Sequence, residues 1–202
     1  MILCEREIQA LLDDGAVLID PRPGNDSGQW SSTAVDLTLE GVVLEWTPPA
    51  GGAHPPIQLH SEKFDIQAMT EDAALARKIA IDPANGYVMS PKSFILGFTR
   101  EKVRFPARCR VAARVEGKSS LARLGLGVHV TAPTIHAGFG AKRATDSGSP
   151  IQLEIFNLGP WPIRLDTGMK ICQLIFEEVR EVPTTPYRGQ FSGQQAFTVP
   201  TP

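Results

Sequence analysis

Cysteine is scarce: Cys4, Cys109 and Cys172 are the only three in 202 residues. They are odd in number and far apart, which argues against a disulfide framework and against a cysteine-built zinc site. Long apolar runs are missing too. No stretch approaches the roughly 20 residues of a membrane span. The N-terminus, MILCEREIQALL, carries charge from Glu5 and has no signal-peptide core. A cytoplasmic protein, not membrane-bound, is therefore expected. Net charge is nearly absent as well: 20 Lys+Arg against 22 Asp+Glu leave −2. There is no global pull toward nucleic acid or an anionic membrane, so any anion site must be local.

What is present is punctuation. Glycine (18) and proline (17) are scattered along the chain between short apolar segments. That pattern predicts many strands and turns rather than helices. Leu3 to Leu12 reads as a short amphipathic helix, closed by Asp13-Asp14-Gly15. Strands are expected at 16–20, 35–39 and 42–46, the last continuing as a partner of the one before it. Residues 47–56 form a turn-rich excursion, and Thr70-Glu71-Asp72 can open a helix through Ile79. Further strands are expected at 86–89, 93–99, 109–115, 128–131, 151–157, 163–165 and 170–179, with a break at Arg104-Phe105-Pro106. About ten short strands and one N-terminal helix predict a mainly β fold, a sandwich or a jelly-roll-like barrel. The body is expected over residues 1–182. From Pro183 to 202 the chain is polar and rich in Pro, Gly and Gln, a tail that orders only against something.

Three places can carry chemistry. The first is EGKSSLARLGLGVHV, residues 116–130. Its Gly-Lys-Ser looks like the end of a P-loop, but Ala112 stands where the first glycine belongs, and RVAARVE before it reads as a strand. The ATPase reading fails on that context. Ser119 and Ser120 suit the caps of a short helical turn through Leu124, whose free N–H groups can bind an anion beside Lys118 and Arg123. A plain helix cap on a surface loop is the alternative. The second is Glu154, which shares a strand face with Gln152 and Phe156, opposite Ile151, Leu153 and Ile155. Partly buried, it would suit a general base; on a wet face it would be a surface ion-pair partner. The third is a pair of histidines, His129 in the alternating run and His136 in a turn after it. The first reads as structural. The second lies where sites collect. His60-Ser61-Glu62 matches half of the zinc deaminase signature, and the P-C-x-x-C half is absent.

Together, "GKSSLARLGLGVHVTAPTIHAGFG", "IQLEIFNLGPWPIRLDTGMKICQLIF", "LCEREIQALLDDG", "AVDLTLE" and "YVMSPKSFILGFTREKVRFP" resemble the dCTP deaminases of the trimeric dUTPase superfamily. The resemblance covers most of residues 1–195, with several motifs in order. It implies a distorted β-barrel or jelly roll of the dUTPase-like type, assembled as a homotrimer with sites between subunits. It implies hydrolysis of the 4-amino group of dCTP to give dUTP and ammonia, in pyrimidine deoxynucleotide metabolism. It implies no zinc, magnesium carried by the triphosphate, and dTTP as a candidate regulator.

Residue by residue, the resemblance implies that Lys118, Ser119, Ser120, Leu121, Ala122 and Arg123 meet the nucleotide. Ser119 and the backbone carbonyl of Ala132 would hold the attacking water. Glu154 would be the general base, oriented by Arg123. Gln152 and Leu153 would read the base edge, through backbone or side chain. His136 would face the sugar, Gln173 would touch the nucleotide, and Tyr187 and Gln194 would close over the phosphates.

Three departures stand out. His136 occupies the usual place of an Asp, which argues against a bifunctional deaminase–pyrophosphatase. Residues 140–150 are longer than usual, and their Lys142 and Arg143 can add an anion contact. Gln190-Phe191 fills the place of a Lys-Tyr pair in the tail. These departures motivate an alternative, a non-catalytic nucleotide-binding trimer acting as a sensor. A dUTP pyrophosphatase is a further alternative, opposed by His136.

Overall fold

The computed structural model describes residues 1–47, 56–128, 132–141, 147–185, 187, 189 and 194–199. Among them are twelve strands and three short helices. The largest sheet runs β4 (Ala76–Ala80), β3 (Val42–Trp46), β6 (Ser93–Arg104), β10 (Ser149–Asn157), β8 (Leu126–Val128), with β1 (Leu18–Asp20) on the C-terminal half of β6. A second sheet runs β2 (Val35–Thr38), β12 (Lys170–Glu178), β7 (Val111–Gly117), β9 (Thr134–Ile135). β5 (Tyr87–Met89) and β11 (Ile163–Leu165) form a separate pair. All the ladders are antiparallel. The mainly β class expected from the sequence is the class observed.

Side-chain alternation explains where the core sits. In β10, Ile151, Leu153 and Ile155 are buried, while Gln152, Glu154 and Phe156 stay half-buried on the other face. β7 buries Val111, Ala113 and Val115. β12 departs from strict alternation: Ile171 and Cys172 are both buried, beside a register shift between Lys170 and Cys172. These faces enclose one core, with Phe105 and Phe176 at 5.6 Å between ring centroids. Ile8, from α1 (Glu5–Asp13), is buried against the same core. Burial of Cys172 pushes its thiol well above the ordinary range.

A buried carboxylate ties the two sheets together. Glu101 of β6 is 4% exposed. It accepts from Thr38 N (2.8 Å), Thr38 Oγ1 (2.9 Å) and Gln29 Nε2 (3.2 Å). With partners on β2 and the loop before it, the charge is satisfied without an ion pair having to be invoked.

Several expectations need correction. Val42–Trp46 does not pair with Val35–Thr38: β3 lies between β4 and β6, while β2 joins β12. The helix placed at 70–79 starts and ends earlier. α2 spans Ile66–Glu71, opened by Asp65, whose side chain accepts from Gln67 N and Ala68 N at 2.9 and 3.1 Å. Asp72 ends it in extended backbone, and Ala76–Ala80 is a strand. Pairing with β3 wins over local helix preference there. β6 also runs beyond the expected end at Thr99 to Arg104, the first residue of the expected break. Among the described residues no helix is long and apolar enough to cross a membrane.

Candidate active site

The GKSSLAR turn leaves β7 at Gly117 and forms α3, Ser119–Ala122. Its cap position belongs to Lys118, with no side-chain cap hydrogen bond. Ser119 and Ser120 are therefore the first helical residues, not the caps expected from their type. Both are exposed. The turn is pressed against the loop after β10. A Cβ on Gly125, whose φ is 91°, would come within 2.2 Å of Gly159 N, and one on Gly159 within 1.9 Å of Leu124 O. Only glycine permits that approach.

Lys118, Ser119, Ser120, Ala122 and Gln173 line one cavity of about 620 Å³, with Phe156 on its wall. Lys118 is not an isolated cation. Its Nζ lies 2.5 Å from Asp36 Oδ1, with side chains only 23% and 13% exposed. Asp36 stands opposite Gln173 across the β2–β12 ladder. Nothing in the sequence marks Asp36 as a functional residue. In AVDLTLE it occupies the polar phase of the strand and looks like an ordinary solvent-facing acid. Because this pair is largely shielded from water, removing one partner strands the other. Asp36→Ala should lower stability by about 2 kcal/mol, read as a shift of the urea midpoint at unchanged slope.

Glu154 lies in a second cavity of about 440 Å³, with Gln152, Ala132, His136, Tyr187 and Gln194. Trp46, Phe94, Leu96 and Phe139 supply apolar walls that residue type alone did not reveal. Glu154 is half-buried, not a fully solvated surface acid. The His136 and Tyr187 rings stack at 5.3 Å with 22° between planes. Gln194 Nε2 donates to Pro150 O at 2.8 Å. Ala132 has a φ of 56°, uncommon for a residue with a side chain. Such strain concentrates at functional sites.

Most of the expected site residues thus fall into two groups. Among the described residues none lines both cavities, although β10 contributes Phe156 to the first and Gln152 and Glu154 to the second. Leu121 packs against the core, and exposed Arg123 lines neither cavity. Leu153 is fully buried, so its side chain cannot read a base; only its backbone can. His129, Lys142, Arg143, Gln190 and Phe191 lie outside the described residues. His60 sits in an exposed turn. Among the described residues no group of three or more His, Cys, Asp or Glu is placed to hold a metal ion.

This geometry has relatives. The family model for dCTP deaminase-like proteins matches residues 2–179. A "dCTP deaminase, dUMP-forming" of Persephonella marina is 34% identical over 198 residues, 98% of this chain and 95% of its own. A dCTP deaminase of Marinomonas sp. is 36% identical over 187 residues, covering 93% and 88% of the two chains. The crystal structure of a 2'-deoxycytidine 5'-triphosphate deaminase from Agrobacterium tumefaciens superposes with a TM-score of 0.61 at 18% identity. That superposition covers 88% of this chain and 48% of the other, so this chain spans about half of it and shares its fold. Matched along nearly its whole length, the chain belongs to the dCTP deaminase-like family.

Proposed function

We propose that this chain hydrolyses the 4-amino group of dCTP, giving dUTP and ammonia, at sites completed between copies in a homotrimer. The observation that carries the reading is Glu154. It is a half-buried carboxylate in an apolar-walled cavity, beside Gln152, strained Ala132, and Tyr187 and Gln194 of the tail.

Glu154 accepts a proton from water as the water oxygen bonds to C4 of the base. The C4–N4 bond then breaks, and the amine leaves with the proton that Glu154 returns. One carboxylate serves as base and then acid, and the balance is dCTP plus water to dUTP plus ammonia. The Ala132 carbonyl and Ser119 hold the water. Apolar walls keep bulk solvent from the reacting atoms, which strengthens each polar contact inside. Gln152 faces the base edge. Lys118, Ser119, Ser120 and Gln173 face the phosphates, and the triphosphate brings its own magnesium as part of the substrate.

The need for a second copy rests on the division of the residues. Arg123 and Ser119 do not line the cavity of their own chain's Glu154. A neighbour that brings them there completes the constellation. The working division of the chain is a body over 1–182 and a tail over 183–202, supported by Tyr187 and Gln194 at the Glu154 cavity. Three free cysteines fit a reducing cytoplasm.

The test is a panel of dCTP, CTP and dUTP with Mg²⁺, read together for ammonia, uracil nucleotide and pyrophosphate. Ammonia and dUTP released from dCTP at equal rates, without pyrophosphate, is the expected result. Tight dCTP binding without turnover would select the sensor. Pyrophosphate released together with ammonia from dCTP would make this a dUMP-forming deaminase, the kind named for the Persephonella marina relative; pyrophosphate from dUTP without ammonia from dCTP would establish the dUTP pyrophosphatase. Adding dTTP to the assay tests regulation.

A further inference from the structure

The described end of the tail is fastened to the body beside the Glu154 cavity. Phe197 meets Phe98 edge-on, with ring centroids 4.8 Å apart and planes at 77°. Phe98 is itself 3% exposed. The Phe197 ring also packs against buried Leu44, Ala76 and Leu96, from β3, β4 and β6. Lys78 Nζ stands 5.9 Å from the Phe197 centroid, and Glu71 Oε2 of α2 holds that ammonium at 2.5 Å. An aromatic ring is thus gripped by an edge-to-face partner, an aliphatic floor and a fixed cation.

The position makes this grip consequential. Residues near a chain end usually fray unless something ties them down. The notch holding Phe197 adjoins a cavity of about 260 Å³, lined by Phe197 itself together with Gln152 and Gln194. Those two glutamines also line the Glu154 cavity. Three residues of extended chain span at most about 10 Å, so seating Phe197 confines Gln194 to the neighbourhood of that cavity. The bond from Gln194 Nε2 to Pro150 O then sets its direction.

We propose that Phe197 is a positioning residue: seated in its notch, it holds Gln194 at the rim of the Glu154 cavity before nucleotide arrives. The inference rests on the reading of Gln194 as a nucleotide contact. With the segment ordered in advance, binding a nucleotide loses less conformational entropy. Removing the anchor returns that cost to the binding step, so it weakens ground state and transition state alike and leaves the chemical step untouched.

The experiment uses the full chain with Phe197→Ala, Phe197→Tyr and, on the opposite side of the notch, Lys78→Met. Amide exchange over residues 194–199 is measured without nucleotide, and KM and kcat for dCTP are measured in parallel. Phe197→Ala should speed exchange and raise KM, each by roughly tenfold, with kcat within about twofold. Phe197→Tyr keeps the ring and should restore both, and Lys78→Met should move both in the direction of Phe197→Ala by less. Wild-type exchange as fast as in an unstructured peptide would overturn the anchor. Faster exchange in Phe197→Ala at unchanged KM would overturn its positioning role. Absence of dCTP turnover in the wild type would instead sink the functional reading; exchange and dCTP affinity would then decide the anchor.

Discussion

Glu154→Gln is expected to cut ammonia release from dCTP by about a thousandfold, the scale of a lost general acid–base group. The amide keeps the size and shape of the carboxylate but cannot accept the proton of water. Because Glu154 is half-buried on a strand whose inner face is fully packed, the neutral replacement does not disturb the core. dCTP affinity should stay within about threefold, since the lost interaction belongs to the transition state. Glu154→Asp probes geometry instead: the carboxylate remains but withdraws by one methylene, and displacements of that order cost about a hundredfold. Single-turnover rates and equilibrium dialysis separate the two quantities. Turnover surviving in Glu154→Gln would place the base elsewhere and undo the mechanism.

The second large effect is a gain. Arg123→Ala and Glu154→Gln should each be nearly inactive as pure proteins. Unfolded, mixed in equal amounts and refolded together, they should recover about one quarter of wild-type activity if each site joins Arg123 of one copy to Glu154 of another in a closed ring. Half of the positions then carry an intact Arg123 and half an intact Glu154, independently. If both residues served the same chain's site, no mixture would contain an intact site and activity would stay at the floor. The expectation follows from Arg123 being absent from the lining of its own chain's Glu154 cavity. Sedimentation of the mixed sample checks the trimer directly.

Local patterns were readable where local sterics decide. IQLEIFN declared both its strand and its two faces, because successive side chains in a strand point to opposite sides whatever the strand pairs with. β10 therefore has Glu154 on the expected face, and β11, Ile163–Leu165, matches the residues expected for it. The family resemblance was carried in the same way by short motifs in a fixed order, and the family model bears it out. The division of those motifs between two cavities was not readable, because no residue announces which cavity it will line.

Strand partners were equally hidden. Val42–Trp46 follows Val35–Thr38 so closely that a hairpin was the natural expectation, yet the chain crosses between sheets and β3 pairs with β4 and β6. Alternation says which face is buried, but not which strand lies alongside. Asp36 looked like a surface acid until folding set it against Lys118, 82 positions away. Nothing in the sequence of the tail marked Phe197, whose ring the fold sets against Phe98 and Lys78. Amino-acid order alone established the class, the strand faces and the family, because each is written in residues close together in the chain. Folding alone decided the pairing of strands, the partner of Lys118, the seat of Phe197 and the separation of Arg123 from Glu154. Those depend on contacts between distant segments, where complementary surfaces and the whole packed core outweigh any local preference.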